Sequence, residues 1–125
     1  MSPRAVGATQ HELSRIGLLA TLSGETLARL AQNMVREDIP AGTGVVSEGE
    51  EGDRFYVVLS GMLAVSQKSR GAQSVLRPGD YFGEVALAMD VPRTATVRAL
   101  TPVTVASCDR ETFDEFIRPL FADDV

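Results

Sequence analysis

From residue 35 to residue 107 the chain is a succession of short β-rich runs, cut at close intervals by Gly, Pro, Asp and Ser. That rhythm suits an antiparallel sandwich or barrel and disfavours a parallel βαβ sheet. Turn signals stand at 40–44, 49–53, 60–61, 69–71 and 78–80. Between them Phe55, Val57 and Leu59 fall on one side of a strand and Tyr56 and Val58 on the other; Leu63 and Val65 resume the alternation after Gly61. Two more strands are expected at 95–99 and 103–107, joined by a turn at Thr101-Pro102. The spacing is that of a jelly roll. The fold class expected is therefore α+β: an antiparallel β jelly-roll barrel flanked by short N-terminal helices, a short inserted helix and a C-terminal helix.

The flanking helices carry their own signals. Thr9 and Glu12 have capping-box spacing, which predicts a short helix through Ile16 ended by Gly17. Ser23 is placed to cap a second helix, with Leu27, Leu30, Ala31 and Met34 forming one apolar face. Near the other end Asp109 is a good N-cap, and Phe113, Phe116, Ile117 and Leu120 recur at i, i+3, i+4 and i+7. Pro119 is expected to end or kink that helix near Arg118, since it lacks an N–H and restricts its predecessor. At 125 residues the chain has the size of one domain, read as 9–120 with a flexible lead at 1–8 and a tail at 121–125.

Composition excludes several functions. With 44% hydrophobic and 23% charged residues the chain reads as soluble and globular, and it has neither a membrane-spanning run nor a signal-peptide pattern. A cytoplasmic location without membrane contact by this segment is the expectation. The net charge of −5, with scattered basic residues, argues against direct nucleic-acid binding. Cys108 is the single cysteine and reads as a small buried hydrophobe at a strand end. His11 is the single histidine, so neither a cupin-type metal cluster nor a Ser-His-Asp or Cys-His centre can be assembled, and no catalytic residue, metal or cofactor is expected. The acidic run 48–53 lacks the alternating ligands of a calcium loop and reads as a solvated turn.

One stretch, FGEVALAMDVPRTATV at 82–97, has the makings of an anion site. Gly83 permits close backbone approach and opens a short run of helix formers at 84–89, whose first N–H groups have no intrahelical partner. Ala86 N–H leads among them. Pro92 stiffens the loop that presents Arg93, a permanently charged planar fork suited to phosphate oxygens. Glu84 only accepts hydrogen bonds, which makes a sugar hydroxyl its natural partner.

This stretch resembles the phosphate-binding cassette of cyclic nucleotide-binding domains, F-G-E-x-A-L followed after a short spacer by P-R-x-A-[TS]-[VI]. Phe82-Gly83-Glu84, Ala86-Leu87, Pro92-Arg93 and Ala95-Thr96-Val97 match position by position. The turn Glu48-Gly49-Glu50-Glu51-Gly52-Asp53 followed by Phe55-Tyr56, and the glycines at Gly61 and Gly79, are similar to other blocks of the family, so the resemblance runs from about Leu18 to Ile117. It implies a ligand, cAMP or cGMP, held by Arg93 at the cyclic phosphate and by Glu84 at the ribose 2'-hydroxyl with help from the Gly83 backbone. The N–H groups of Ala86 and Thr94 would complete the cradle. Leu87 and Val97 would line the apolar wall, Leu76 or Val75 would touch ribose or base, and Val85 and Ala95 complete the candidate set within the two blocks.

The resemblance further implies that the Thr94 hydroxyl can reach a guanine amino group, permitting cGMP without excluding cAMP, with a lean toward cAMP. Family members usually continue into a longer C-terminal helix that caps the base, and none follows Pro119 here. Two expectations fit: a regulatory module excised from a larger protein, whose parent could be a membrane protein, or a stand-alone sensor acting through a partner. The excised module is the favoured one, and in both, binding passes to an effector whose identity the residues leave open. The alternative is a non-binding domain serving as a protein-interaction surface.

Overall fold

The computed structural model describes residues 8–121. Thr9 caps α1 (Gln10–Ser14) through the expected capping box with Glu12. The helix ends at Ser14, short of the expected Ile16, and after Arg15 and Ile16 the chain turns through a 3₁₀ segment, Gly17–Leu19, which sinks Leu19 into the core. Ser23 accepts the Thr26 N–H and caps α2 (Gly24–Gln32). As expected, Leu27, Leu30, Ala31 and Met34 are all buried.

Eight strands follow: β1 (Val35–Ile39), β2 (Gly44–Val46), β3 (Arg54–Ser60), β4 (Leu63–Gln67), β5 (Gly71–Leu76), β6 (Tyr81–Phe82), β7 (Thr96–Ala99) and β8 (Val103–Asp109). They form two four-stranded antiparallel sheets, ordered β1-β8-β3-β6 and β2-β7-β4-β5. The jelly-roll expectation holds in outline, but the sheets face each other as a sandwich and do not close into a barrel. The short β2 and β6 leave too few ladder positions for continuous pairing around the circumference.

β3 sits against β8 and β6 and is buried on both faces. Phe55 and Val57 enter a core shared with α1, α2 and the C-terminal helix, with Leu59 packed at its side. Tyr56 and Val58 enter a second core between the sheets, together with Leu63 and Val97. The alternation in the sequence thus marks a strand that belongs to two cores. Cys108 lies in the first of them, fully buried and free, and burial pushes its thiol up to about 12.

The C-terminal segment begins at Asp109, whose carboxylate accepts the Thr112 N–H, and runs as α4 (Arg110–Thr112), a π-helical turn (Phe113–Ile117) and α5 (Arg118–Phe121). Pro119 does not end it. In a regular α-helix the proline ring would meet the carbonyl four residues back, but here the Arg118 N–H already reaches Phe113 O, five residues back. The widened turn absorbs the misfit, and Phe113, Phe116 and Ile117 stay buried. Most of the expected lead and tail falls outside the described residues. Of their described members, Ala8 is buried and Phe121 meets Tyr81 edge-on at 5.8 Å.

Candidate functional site

Between β6 and β7 the chain forms α3 (Glu84–Met89) and the loop that returns through Pro92 and Arg93. Gly83 stands at the N-cap with φ 95°, a left-handed conformation that side chains disfavour. A Cβ there would come within 2.8 Å of Arg54 O and 2.9 Å of Arg93 Nη1. The glycine therefore makes room first for the protein's own carbonyl and guanidinium.

Arg93 is only 7% exposed. Its Nη2 donates to Arg54 O at 3.1 Å and its Nη1 to Gly83 O at 3.4 Å, and the guanidinium lies 5.9 Å from the centre of the Tyr56 ring. Tyr56 in turn stacks on Phe82 at 4.7 Å. Burial lowers the guanidinium pKa, opposed by Tyr56, Asp53 and Glu50, and an arginine so placed keeps its charge. The backbone is pinned as well: Arg93 N–H donates to Glu50 O and Gly49 N–H to Arg93 O, both at 2.8 Å.

The turn at 48–53, read from sequence as merely solvated, thus has a second role. Glu50, Glu51 and Asp53 are exposed, but Gly52 is buried under the arginine, where a Cβ would stand 2.3 Å from Arg93 Nε. No local sequence signal ties these two residues, which lie far apart in the chain.

These groups border a cavity of about 230 Å³. Gly83, Glu84, Val85, Ala86, Arg93, Thr94 and Ala95 form its cassette side, and Leu76 and Val97 belong to its sheet side. Val46, Val97, Val65 and Ser74 face one another across β2, β7, β4 and β5 and lay a transverse row along its floor. Val46, Val65, Ser74, Tyr81 and Phe82 were not among the sequence candidates. The alternation had placed Val65, but only the strand register puts Val46 and Ser74 in line with it. A larger cavity lies beside α1, but Glu84, Arg93 and Thr94 border this one.

Leu87, expected on the cavity wall, lies elsewhere. It is fully buried in the helical core with Phe113 and Ile117, because α3 turns that face away from the cavity. Val75 alternates with Ser74 and Leu76 along β5 and does not border the cavity.

Glu84 is half-buried and has no ion-pair partner among the described residues. Desolvation raises its carboxyl above the ordinary 4.5, partly offset by its own N–H. Thr94 is exposed, and its carbonyl accepts from Gln67 Nε2 at 2.8 Å. At the far end of α3, Asp90 ends the helix in the left-handed region with φ 56°. Arg118 donates to the carbonyls of Leu87 (3.1 Å) and Ala88 (3.2 Å), and Arg110 to Leu87 O at 3.3 Å. The free carbonyls of the last turn are thus capped from the C-terminal helical segment. Among the described residues no group of His, Cys, Asp and Glu is arranged to hold a metal, and no helix is long and apolar enough to cross a membrane.

Residues 36–119 match the family model described as the cyclic nucleotide-binding domain. The chain belongs to the cyclic nucleotide-binding domain family. The matched residues fall inside the 9–120 span and include the whole cassette. Among curated relatives, the cAMP-dependent protein kinase regulatory subunit of Debaryomyces hansenii is 40% identical over 107 residues, 86% of this chain and 24% of the relative. The cGMP-dependent protein kinase of Caenorhabditis briggsae is 35% identical over 114 residues, 86% of this chain and 15% of that kinase. The chain therefore spans a quarter or less of these relatives' length.

Two solved structures share the fold closely. The regulatory domain of Toxoplasma gondii PKA with cAMP has a TM-score of 0.83 at 28% identity, covering 89% of this chain and 44% of that one. The regulatory subunit of a cAMP-independent protein kinase A from Trypanosoma brucei has a TM-score of 0.84 at 25% identity, covering 88% and 40%.

Proposed function

We propose that this domain is a regulatory sensor that binds cAMP or cGMP in the cavity between α3 and the β2-β7-β4-β5 sheet, and transmits binding to an effector. The observation that carries the reading is the pairing of a buried, pre-positioned Arg93 with an unpaired, desolvated Glu84 at one cavity whose floor is apolar. Arg93 takes the cyclic phosphate with the Ala86 and Thr94 N–H groups. Glu84 accepts the ribose 2'-hydroxyl beside the Gly83 backbone. The purine rests on the sheet side, with Leu76, Val65 and Val97 beneath it and Val85 and Ala95 at its margin. In this reading the domain catalyses nothing, and it works in the cytoplasm within or beside a larger protein.

Transmission follows from the two ends of α3. Phosphate capture draws its first turn toward Arg93, while its last turn is held by Arg110 and Arg118 and by Leu87 against Phe113. The C-terminal segment then shifts with α3, by as much as the ligand's affinities for the two arrangements differ. The test is thermal melting of the chain with each nucleotide. At 100 times its Kd, a ligand should add about 2.7 kcal/mol of stability. A melting temperature unmoved by either cAMP or cGMP overturns the proposal.

A second reading, a domain that binds no nucleotide and docks a protein partner, is favoured by the apolar exterior of α3, where Met89 is 67% exposed beside Val85 and Val91. The same melts decide between the two.

A further inference from the structure

A cavity of about 480 Å³, larger than that of the cassette, opens between α1 and the β1-β8-β3-β6 sheet. Leu59 and Pro78 give it an apolar side that keeps open surface, while Arg15, Arg36 and His11 border it. A chain of net charge −5 has gathered cations here. The counter-charge is incomplete. Glu12 also borders the cavity, but its Oε1 already accepts the Thr9 N–H. Its Oε2 lies 3.3 Å from Arg36 Nε, a buried atom that nevertheless has no aligned hydrogen bond. Arg15 makes no ion pair or side-chain hydrogen bond with any described residue. The Thr104 hydroxyl at the rim donates to Asp38, which leaves Ser60 as the other hydroxyl.

We propose that this cavity is a second ligand site, separate from the cassette, for a small organic anion: a phosphate monoester or carboxylate on a compact apolar body. The oxyanion bridges the Arg15 and Arg36 guanidinium groups, whose planar forks suit either head group. The body lies on Leu59 and Pro78, in a cavity of the size usual for small-molecule sites. Occupancy fastens α1 to the sheet.

The experiment follows backbone amide NMR shifts of the full chain titrated with phenyl phosphate, benzoate or inorganic phosphate. Saturable shifts are expected at residues 11–16, 36, 58–60 and 79 with one or both aryl anions, and which of them acts identifies the head group. Inorganic phosphate should bind about tenfold more weakly, lacking the body. Arg15→Gln, at an exposed position without a partner, should weaken the aryl anion about tenfold and leave cAMP affinity unchanged. Three outcomes each overturn the proposal: shifts absent at these amides, shifts confined to 82–97, or an aryl-anion affinity that Arg15→Gln does not alter. Inorganic phosphate binding as tightly as phenyl phosphate overturns the apolar half of the site.

Discussion

The two ends of the cassette cavity are built differently. At the end proposed to take phosphate and ribose, Arg93 is buried, bonded to two carbonyls, laid over Tyr56 and fitted against Gly52 and Gly83. At the base end, Val85 and Thr94 are exposed and Ser74 sits on an edge strand. A group that is already ordered loses little freedom on binding, so interaction energy concentrates at the first end. On the proposed reading, the second end is left to discriminate weakly between bases. Substitutions at the two ends should therefore differ in size and in kind.

The largest effect is expected from Gly52→Ala. Its Cβ would stand 2.3 Å from Arg93 Nε and displace the guanidinium from both carbonyls. Affinity for cAMP and cGMP alike should fall by about 100-fold, on the order of two charged hydrogen bonds, in calorimetric titration. Since Arg93 can swing away, the fold should survive, and circular dichroism checks this. An unchanged affinity would break the link between the acidic turn and the phosphate.

Glu84→Gln is next, at about tenfold, and carries a pH signature. Burial raises the Glu84 carboxyl above 4.5, so in the free domain its contribution to stability is fully present below 4.5 and is lost as pH rises through the raised value. Binding runs the other way. A 2'-hydroxyl donates to the carboxylate, so wild-type affinity should fall as pH drops through that raised value. Titrations at a series of pH values should show this fall in the wild type and a flat profile in Glu84→Gln. A fall of equal size in both would remove Glu84 from the ribose.

The smallest effect belongs to the base end. Thr94→Ala should lower cGMP affinity about fivefold and change cAMP affinity less than twofold, as for one neutral hydrogen bond. Parallel titrations with the two nucleotides measure this. A loss of cGMP affinity as large as that from Gly52→Ala would erase the distinction between the ends.

Much of this architecture could be read locally. The Thr9–Glu12 capping box, the Ser23 and Asp109 caps and the two-sided alternation of β3 are short-range patterns, and each is found in the structure. The misreadings have physical causes too. Pro119 is expected to end or kink its helix, and a π-helical turn carries the helix past it, which depends on how Phe113 and Ile117 pack. The barrel expected from strand spacing is an open sandwich, because ladder continuity depends on strand lengths that turn signals locate only loosely.

At the site, the cassette residues could be named because they are contiguous. Val46 and Ser74 could not, since strand register brings them to the cavity from distant parts of the chain, and only packing shows that Gly52 lies against Arg93. Leu87 shows the reverse case. It stands in the motif beside the cradle residues, yet its side chain joins α3 to the C-terminal helix.

The central claim is that Arg93 holds the phosphate of a cyclic nucleotide. Isothermal calorimetry of the wild type and Arg93→Lys with cAMP and cGMP tests it most directly, since lysine keeps the charge and loses the planar fork. The predicted result is saturable binding by the wild type and a weakening of about 10- to 150-fold in the variant, with its circular dichroism unchanged. Equal affinities in the two proteins, or no binding of either nucleotide by the wild type, would contradict it.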